Sequence, residues 1–413
     1  MAAPNMPIRL SVHTGTQDGK HPQLPKGSQP TPPITPTISH GRSSPGVDTP
    51  SRSISPVPFS GGQLHDAVPS NHQNVTAPHK FSDELEFHYD SKGRKLEFGR
   101  GVWSVVYMAS SRAPSIPAAL SPPSSPASGS RVVAVKMPGR RDAPPVLDAE
   151  ALALTRLSMV AGCADHIVPF HGYIADSHAI VMGAVPLALS AYIEEKASAA
   201  KKHMSTSTMF DPVQGMAEWH GLAKKLVAGL DWLHNGARMV HGDIKPNNFL
   251  LRPRPIANDL DSDEFPFEPL FADFSSAHPI GDCTSATEGT ALTALTPPFT
   301  APELLSISAL KSPDVVPTPA SDVFSLAVTL LAAATGDLLL YPGTSSMQRL
   351  AMAREGHQVI DFARSSQSGT RIPRKGIVEQ IVKPAIAKDP SQRIDPADWL
   401  GLVVNTSFPS FIL

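Results

Sequence analysis

A chain of 413 residues is long enough for one large domain or two ordinary ones. A net charge of −2 gives no overall basic field for nucleic acid, and two cysteines, Cys163 and Cys283, exclude a disulfide framework and fit a reducing compartment. No positively flanked apolar leader opens the chain, and the longest apolar run, Val323 to Ala334, is too short to span a bilayer. The expectation is a cytoplasmic or nuclear protein without a membrane or nucleic-acid partner.

Proline is over-represented, 43 of 413 residues, and it is concentrated at the start. Residues 1–85 are rich in Pro, Ser, Thr, Gly and His and poor in branched apolar side chains, so burial cannot offset their ordering entropy and a disordered tail is expected. The tail carries Thr31-Pro32, Thr35-Pro36, Ser44-Pro45, Thr49-Pro50 and Ser55-Pro56. These read equally well as targets of an upstream proline-directed kinase or as a by-product of composition.

Folded sequence is expected from about Phe87. Leu96 to Ala109 reads as strand, glycine turn, strand, and Arg131 to Met137 as a short apolar strand. Between them, residues 112–130 form a low-complexity insertion. Val146 to Leu157 has helical spacing, and Ile167 to Met182 holds two strands around a polar turn. Helical patterns follow: Trp219 to His234, Val323 to Ala334, and one near the C-terminus. A second insertion, polar and acidic, is expected over 252–269. Strands first and helices afterwards predict an α+β fold of two lobes.

Chemistry concentrates in Met239 to Leu251. Asp243, Lys245 and Asn248 have the spacing that phosphoryl transfer needs: a carboxylate for the attacking hydroxyl, an ammonium for phosphate charge, and an amide oxygen for a metal. Upstream, Gly99 and Gly101 let the backbone approach phosphate oxygens, with Ser104 as the third small residue. Lys136 ends the strand Val132 to Val135 and needs a counter-ion. Glu150, one turn before Leu154, suits that role better than Asp148. Asp273, after a short apolar strand, is placed to share a divalent cation with Asn248. Glu303 and Arg393 are expected to form a buried ion pair.

The order of these motifs resembles the eukaryotic protein kinase family, from about Leu96 to Trp399. Asp322-Val-Phe-Ser-Leu-Ala is similar to the start of that family's central buried helix, where the Asp holds the catalytic-loop backbone. The resemblance implies a kinase domain over 86–406, with a β-rich N-lobe (86–184) and a helical C-lobe (185–406). It implies ATP and Mg2+ as cofactors and Ser or Thr of a protein substrate as acceptor. Asp243 would be the catalytic base, Lys245 the γ-phosphate contact, and Lys136–Glu150 the phosphate-positioning pair. Asn248 and Asp273 would be metal ligands. Gly99, Gly101 and Ser104 would line the phosphates, Val106 and Ala134 would cover the adenine, and Met182 to Val185 would form the hinge. Thr296 would touch the catalytic Asp.

Three departures stand out. Gly242 replaces the arginine before the catalytic Asp, so activity is expected not to depend on activation-segment phosphorylation in the usual way. Ser275 replaces the glycine after Asp273-Phe274, and Leu295 the glycine before Thr296. These departures feed an alternative reading, a pseudokinase or scaffold. His-Gly-Asp also suits a small-molecule phosphotransferase, against which Lys245-Pro246 and Ala301-Pro302-Glu303 argue.

Overall fold

The computed structural model describes residues 75–113, 130–203, 205–254, 265–281, 296–312, 315–343 and 345–406. The Ser/Thr-Pro pairs, the body of each expected insertion, Cys283 and Leu295 lie outside the described residues.

The N-terminal half is built on a six-stranded sheet. Strands β1 (Glu84–Phe87), β2 (Glu97–Arg100), β3 (Ser104–Arg112), β4 (Arg131–Pro138), β5 (Phe170–Ile174) and β6 (Ala179–Gly183) run in the order β1-β3-β4-β6-β5, with β2 also on β3. All the pairings are antiparallel. Valine-rich β4 lies between β3 and β6, where β-branched side chains suit the pleat. Alternation sends Val133 and Val135 to an outer cluster with Phe81, Ala109 and Val181, and Ala134 and Lys136 to the inner face. Helix α1 (Pro144–Ser158) packs on that inner face through Leu147, Ala151 and Leu154, and opens with proline in its first turn. A one-turn helix, α2 (Cys163–His166), leads into β5.

The C-terminal half is built on α3 (Leu189–Lys202), α4 (Met216–Asp231), α5 (Ile307–Lys311), α6 (Pro319–Thr335), α7 (Ser346–Arg354), α8 (Val359–Arg364), α9 (Ile377–Val382) and α10 (Pro396–Asn405). The apolar run foreseen as a core helix is α6. Every residue from Ser321 to Thr335 is buried, and no described helix is long and apolar enough to cross a membrane. Its ends are sharply set: Thr318 and Ser321 make a capping box, and Gly336 leaves at φ 73°. Trp219 of α4 donates its indole N–H to the Leu330 carbonyl, so the buried ring meets α6 without an unpaired polar atom. Two short ribbons, β7 (Met239–Val240) with β10 (His278–Pro279) and β8 (Phe249–Pro253) with β9 (Phe267–Phe271), frame the loops between the halves.

Two expectations shift. The folded chain begins before residue 86: β1 starts at Glu84, and Phe81 is already buried, one aromatic anchoring a stretch whose average composition is loop-like. The second insertion is shorter than 252–269. Phe265 is fully buried, and Arg252 and Pro253 pair with Glu268 and Phe267 across the ribbon.

Candidate active site

The inner face of the sheet gathers the residues expected to face a nucleotide. Val106 is the register partner of Lys136, and Ala134 that of Met182, so four of them lie on one face of three neighbouring strands. Gly99 ends up in β2 and Gly101 in the turn to β3, where its amide donates to the Ser104 carbonyl at 2.8 Å. A methyl group at Gly99 would meet nothing within 4 Å, so the backbone there is open to approach. Val185 follows β6 and is buried.

Lys136 is buried at 5 % exposure, and its ammonium has found three carboxylate oxygens. It donates to Glu150 Oε1 and Oε2 at 2.7 and 2.6 Å and to Asp273 Oδ1 at 2.7 Å. Burial alone would lower the lysine's pKa; Asp273 and Glu150 override it and raise the group above its ordinary value. Burial pushes Glu150 up to about 6 despite the pull of Lys136. Burial also works against the charge on Asp273, but Lys136 and then the Ser275 hydroxyl, which donates to it, hold that carboxyl far below the usual range. Asp148, the other counter-ion considered, is taken by Tyr173 and His178.

The residues of the expected catalytic loop converge equally tightly. Lys245 Nζ lies 2.6 Å from Asp243 Oδ2, and the Asn248 amide donates to the Asp243 carbonyl at 2.8 Å and to Oδ2 at 3.1 Å. Burial pushes the Asp243 carboxyl up to about 6 against the pull of Lys245. Thr296, expected on the aspartate, instead accepts from Lys245 at 3.2 Å, because that ammonium lies between the two. His241 fixes the loop from within. The Asp243 amide donates to its Nδ1 at 3.3 Å, which leaves the ring proton on Nε2 to donate to the Ala272 carbonyl at 3.1 Å. Burial lowers the pKa of this ring and favours the neutral form.

The two clusters are joined through the main chain. The Ala272 amide donates to the Asn248 carbonyl at 2.9 Å, which places Asp273, at φ 61°, beside the loop that carries Asp243. With its amide nitrogen committed to Asp243, Asn248 keeps Oδ1 as an acceptor. Together with the Asp273 carboxylate, 36 % exposed, this is an all-oxygen donor pair of the kind a hard divalent cation takes. The residues present therefore fit magnesium.

Residues 127–401, more than half of the chain, match the family model described as protein kinase domain. The chain belongs to the protein kinase family. Curated relatives include the serine/threonine-protein kinase PknK of Mycobacterium tuberculosis, strains CDC 1551 / Oshkosh and ATCC 25618 / H37Rv, each 31 % identical over 195 residues. PknK of Mycobacterium bovis is 30 % identical over the same length. These matches cover 45 % of this chain and 14 % of each relative, so the kinase domain spans a small part of the proteins it resembles.

Three contacts around the kinase site were not foreseen. The Ser275 hydroxyl bonds Asp273, the Phe274 amide donates to Glu150, and His234 Nε2 donates to Asp322 at 3.1 Å. Ser275 is the one with a sequence signal, a hydroxyl where the family has glycine.

Proposed function

We propose that this kinase domain transfers the γ-phosphoryl group of ATP to serine or threonine hydroxyls of protein substrates. The observation that carries the reading is the junction of Lys136, Glu150 and Asp273 with Asp243, Lys245 and Asn248 through the Ala272–Asn248 backbone bond. Asp243 accepts the proton of the attacking hydroxyl, and Lys245 meets charge developing on the transferred group. Lys136, held by Glu150, positions the phosphates of a nucleotide whose base lies against Val106, Ala134 and the Met182–Val185 hinge. Gly99, Gly101 and Ser104 pass over those phosphates. Asn248 and Asp273 would hold magnesium, which supplies neutralisation of phosphate charge.

A peptide acceptor is favoured over a small molecule by the clasp beneath the substrate side. Arg393 meets both oxygens of Glu303 at 2.7 Å, anchoring the segment that ends in Ala301-Pro302-Glu303. The Lys245-Pro246 pair and the names of the mycobacterial relatives both support Ser/Thr acceptors. The test is a peptide-library assay with magnesium-ATP, wild type beside Asp243→Asn. Labelling of Ser or Thr in the wild type and its loss in the variant are expected. A wild type that binds nucleotide yet labels nothing would make the protein a pseudokinase.

A further inference from the structure

Residues 75–81 lead into β1, and on the way they bond both the last turn of helix α1 and strand β5. The Val75 carbonyl accepts from Arg156 Nε and Nη2 at 3.1 and 3.0 Å. The His79 amide donates to Thr155 Oγ1 at 2.8 Å. Arg156 and Thr155 both belong to the last turn of α1. The strap then pairs with the outer edge of β5: Tyr173 donates to the His79 carbonyl at 2.8 Å, and the Phe81 amide donates to the Tyr173 carbonyl at 2.9 Å. Phe81 ends it as a plug in the outer cluster with Val133, Val135 and Val181.

The approach is close enough to dictate sequence. Gly172, next to Tyr173, sits at φ 140°, and a Cβ there would lie 2.8 Å from both the Cα and the N of Phe81. Only glycine admits the strap at this distance. Tyr173 is also the second handle on α1. Its main chain pairs with the strap, while its hydroxyl donates to Asp148, one turn from the helix start; His178 Nδ1 bonds the same carboxylate oxygen at 2.7 Å. The helix that carries Glu150 is thus held near both ends, at Thr155–Arg156 by the strap and at Asp148 by Tyr173, the β5 residue to which the strap is bonded.

We infer that the strap 75–81, acting through Tyr173, Asp148, Thr155 and Arg156, positions α1 and so sets Glu150 against Lys136. None of these residues touches the reacting groups; they are positioning residues. The inference rests on the nucleotide-positioning role of the Lys136–Glu150 pair proposed above.

The test uses the full chain as wild type, Thr155→Val with Tyr173→Phe, Thr155→Ser, and Phe81→Ala. Thr155→Val is isosteric and removes the hydroxyl that accepts from the His79 amide and donates to the Ala151 carbonyl; Tyr173→Phe removes the hydroxyl that donates to Asp148 and lies 3.1 Å from His178 Nδ1. Hydrogen exchange is read over Pro144–Ser158, with Pro319–Thr335 as internal reference. The double variant and Phe81→Ala should exchange about tenfold faster over α1 and unchanged over α6. KM for ATP should rise roughly fivefold with the KM for peptide unchanged, a split that general loss of folded protein does not produce. Thr155→Ser should match wild type. Exchange over α1 and KM for ATP both at wild-type values in the double variant would overturn the inference. Should Phe81→Ala not fold, the double variant decides. A wild type without phosphoryl transfer would sink the proposed activity, while the exchange measurements would still decide the strap.

Discussion

Asp322, the first acidic residue of α6, holds the loop that carries Asp243 by its backbone: Oδ2 accepts the His241 amide at 2.7 Å and Oδ1 accepts the Gly242 amide at 3.0 Å. The carboxylate is buried, and His234 donates to it from a third direction. Truncation therefore orphans two backbone donors and a histidine in a dry interior. Asp322→Ala should lose about 3 kcal/mol of stability, with charged-acceptor bonds worth roughly 1.5–3 kcal/mol each, as measured by urea denaturation. A loss under about 1 kcal/mol would mean that water replaces the aspartate.

Gly242 is itself under constraint. Its φ is 81°, and a Cβ would stand 2.7 Å from the Ser276 carbonyl oxygen and 3.3 Å from Pro317. The absence of the family's arginine is thus built into the packing of the segment after Asp273. Gly242→Arg should not install phosphate-dependent activity. It should destabilise the fold by about 1–3 kcal/mol from backbone strain, with crowding added, and lower activity. Thermal shift and a phosphatase-treated kinase assay check this. A stable, phosphate-responsive variant would refute the packing argument.

What could be read in the sequence were residues whose charge demands a partner at a fixed motif position. Lys136 with Glu150, Asp322 under the catalytic loop, and Glu303 with Arg393 are all paired as expected. The strand–strand–helix order was legible because alternation in β4 and the apolar run of α6 are long enough to outweigh noise. Windowed composition failed at short anchors. Phe81 and Phe265 are single buried aromatics inside proline-rich or acidic stretches, and their burial is decided by tertiary contact. Thr296 was read from its motif alone; its partner is Lys245 because that side chain reaches Asp243 first. The strap had no signal at all, since its grip is mostly through backbone amides and carbonyls, which every residue has.

The pH dependence follows from burial. Asp243 is pushed up to about 6, and Glu150 as well, so both hold protons more tightly folded than unfolded. The stability this contributes is complete below the ordinary carboxylate range and fades as pH rises through 6. Activity should run the opposite way, since Asp243 in the proposed role of base must be ionised. The kcat/KM of the free enzyme should rise with an apparent pKa near 6 and level off above it. A profile flat from pH 5 to 8 would remove Asp243 from the role of base.

Arg393 is almost wholly buried, at 1 % side-chain exposure. It spends its guanidinium on Glu303 and on the carbonyls of Ala387 and Ala320, with the Phe324 ring 5.1 Å beneath. Breaking one side of such a pair leaves an uncompensated charge. Glu303→Ala should cost about 3 kcal/mol, less than Arg393→Ala because Glu303 is partly solvated. Denaturation of both variants and the double mutant measures the coupling. Additive effects would show that the clasp is two independent contacts.

Ser275 separates two readings of one substitution. If its value lies in stiffening the backbone after Asp273, Ser275→Ala keeps that stiffness and should be silent, while Ser275→Gly should not. The hydroxyl, however, donates directly to Asp273, whose other side-chain partner is Lys136. Removing the hydroxyl leaves Lys136 to draw the carboxylate away from Asn248. Ala and Gly should therefore both reduce kcat by about five- to tenfold, the equivalent of one hydrogen bond near 1 kcal/mol, and raise the magnesium concentration needed for half-maximal rate. An active Ser275→Ala beside an impaired Ser275→Gly would assign the serine to backbone stiffness after all.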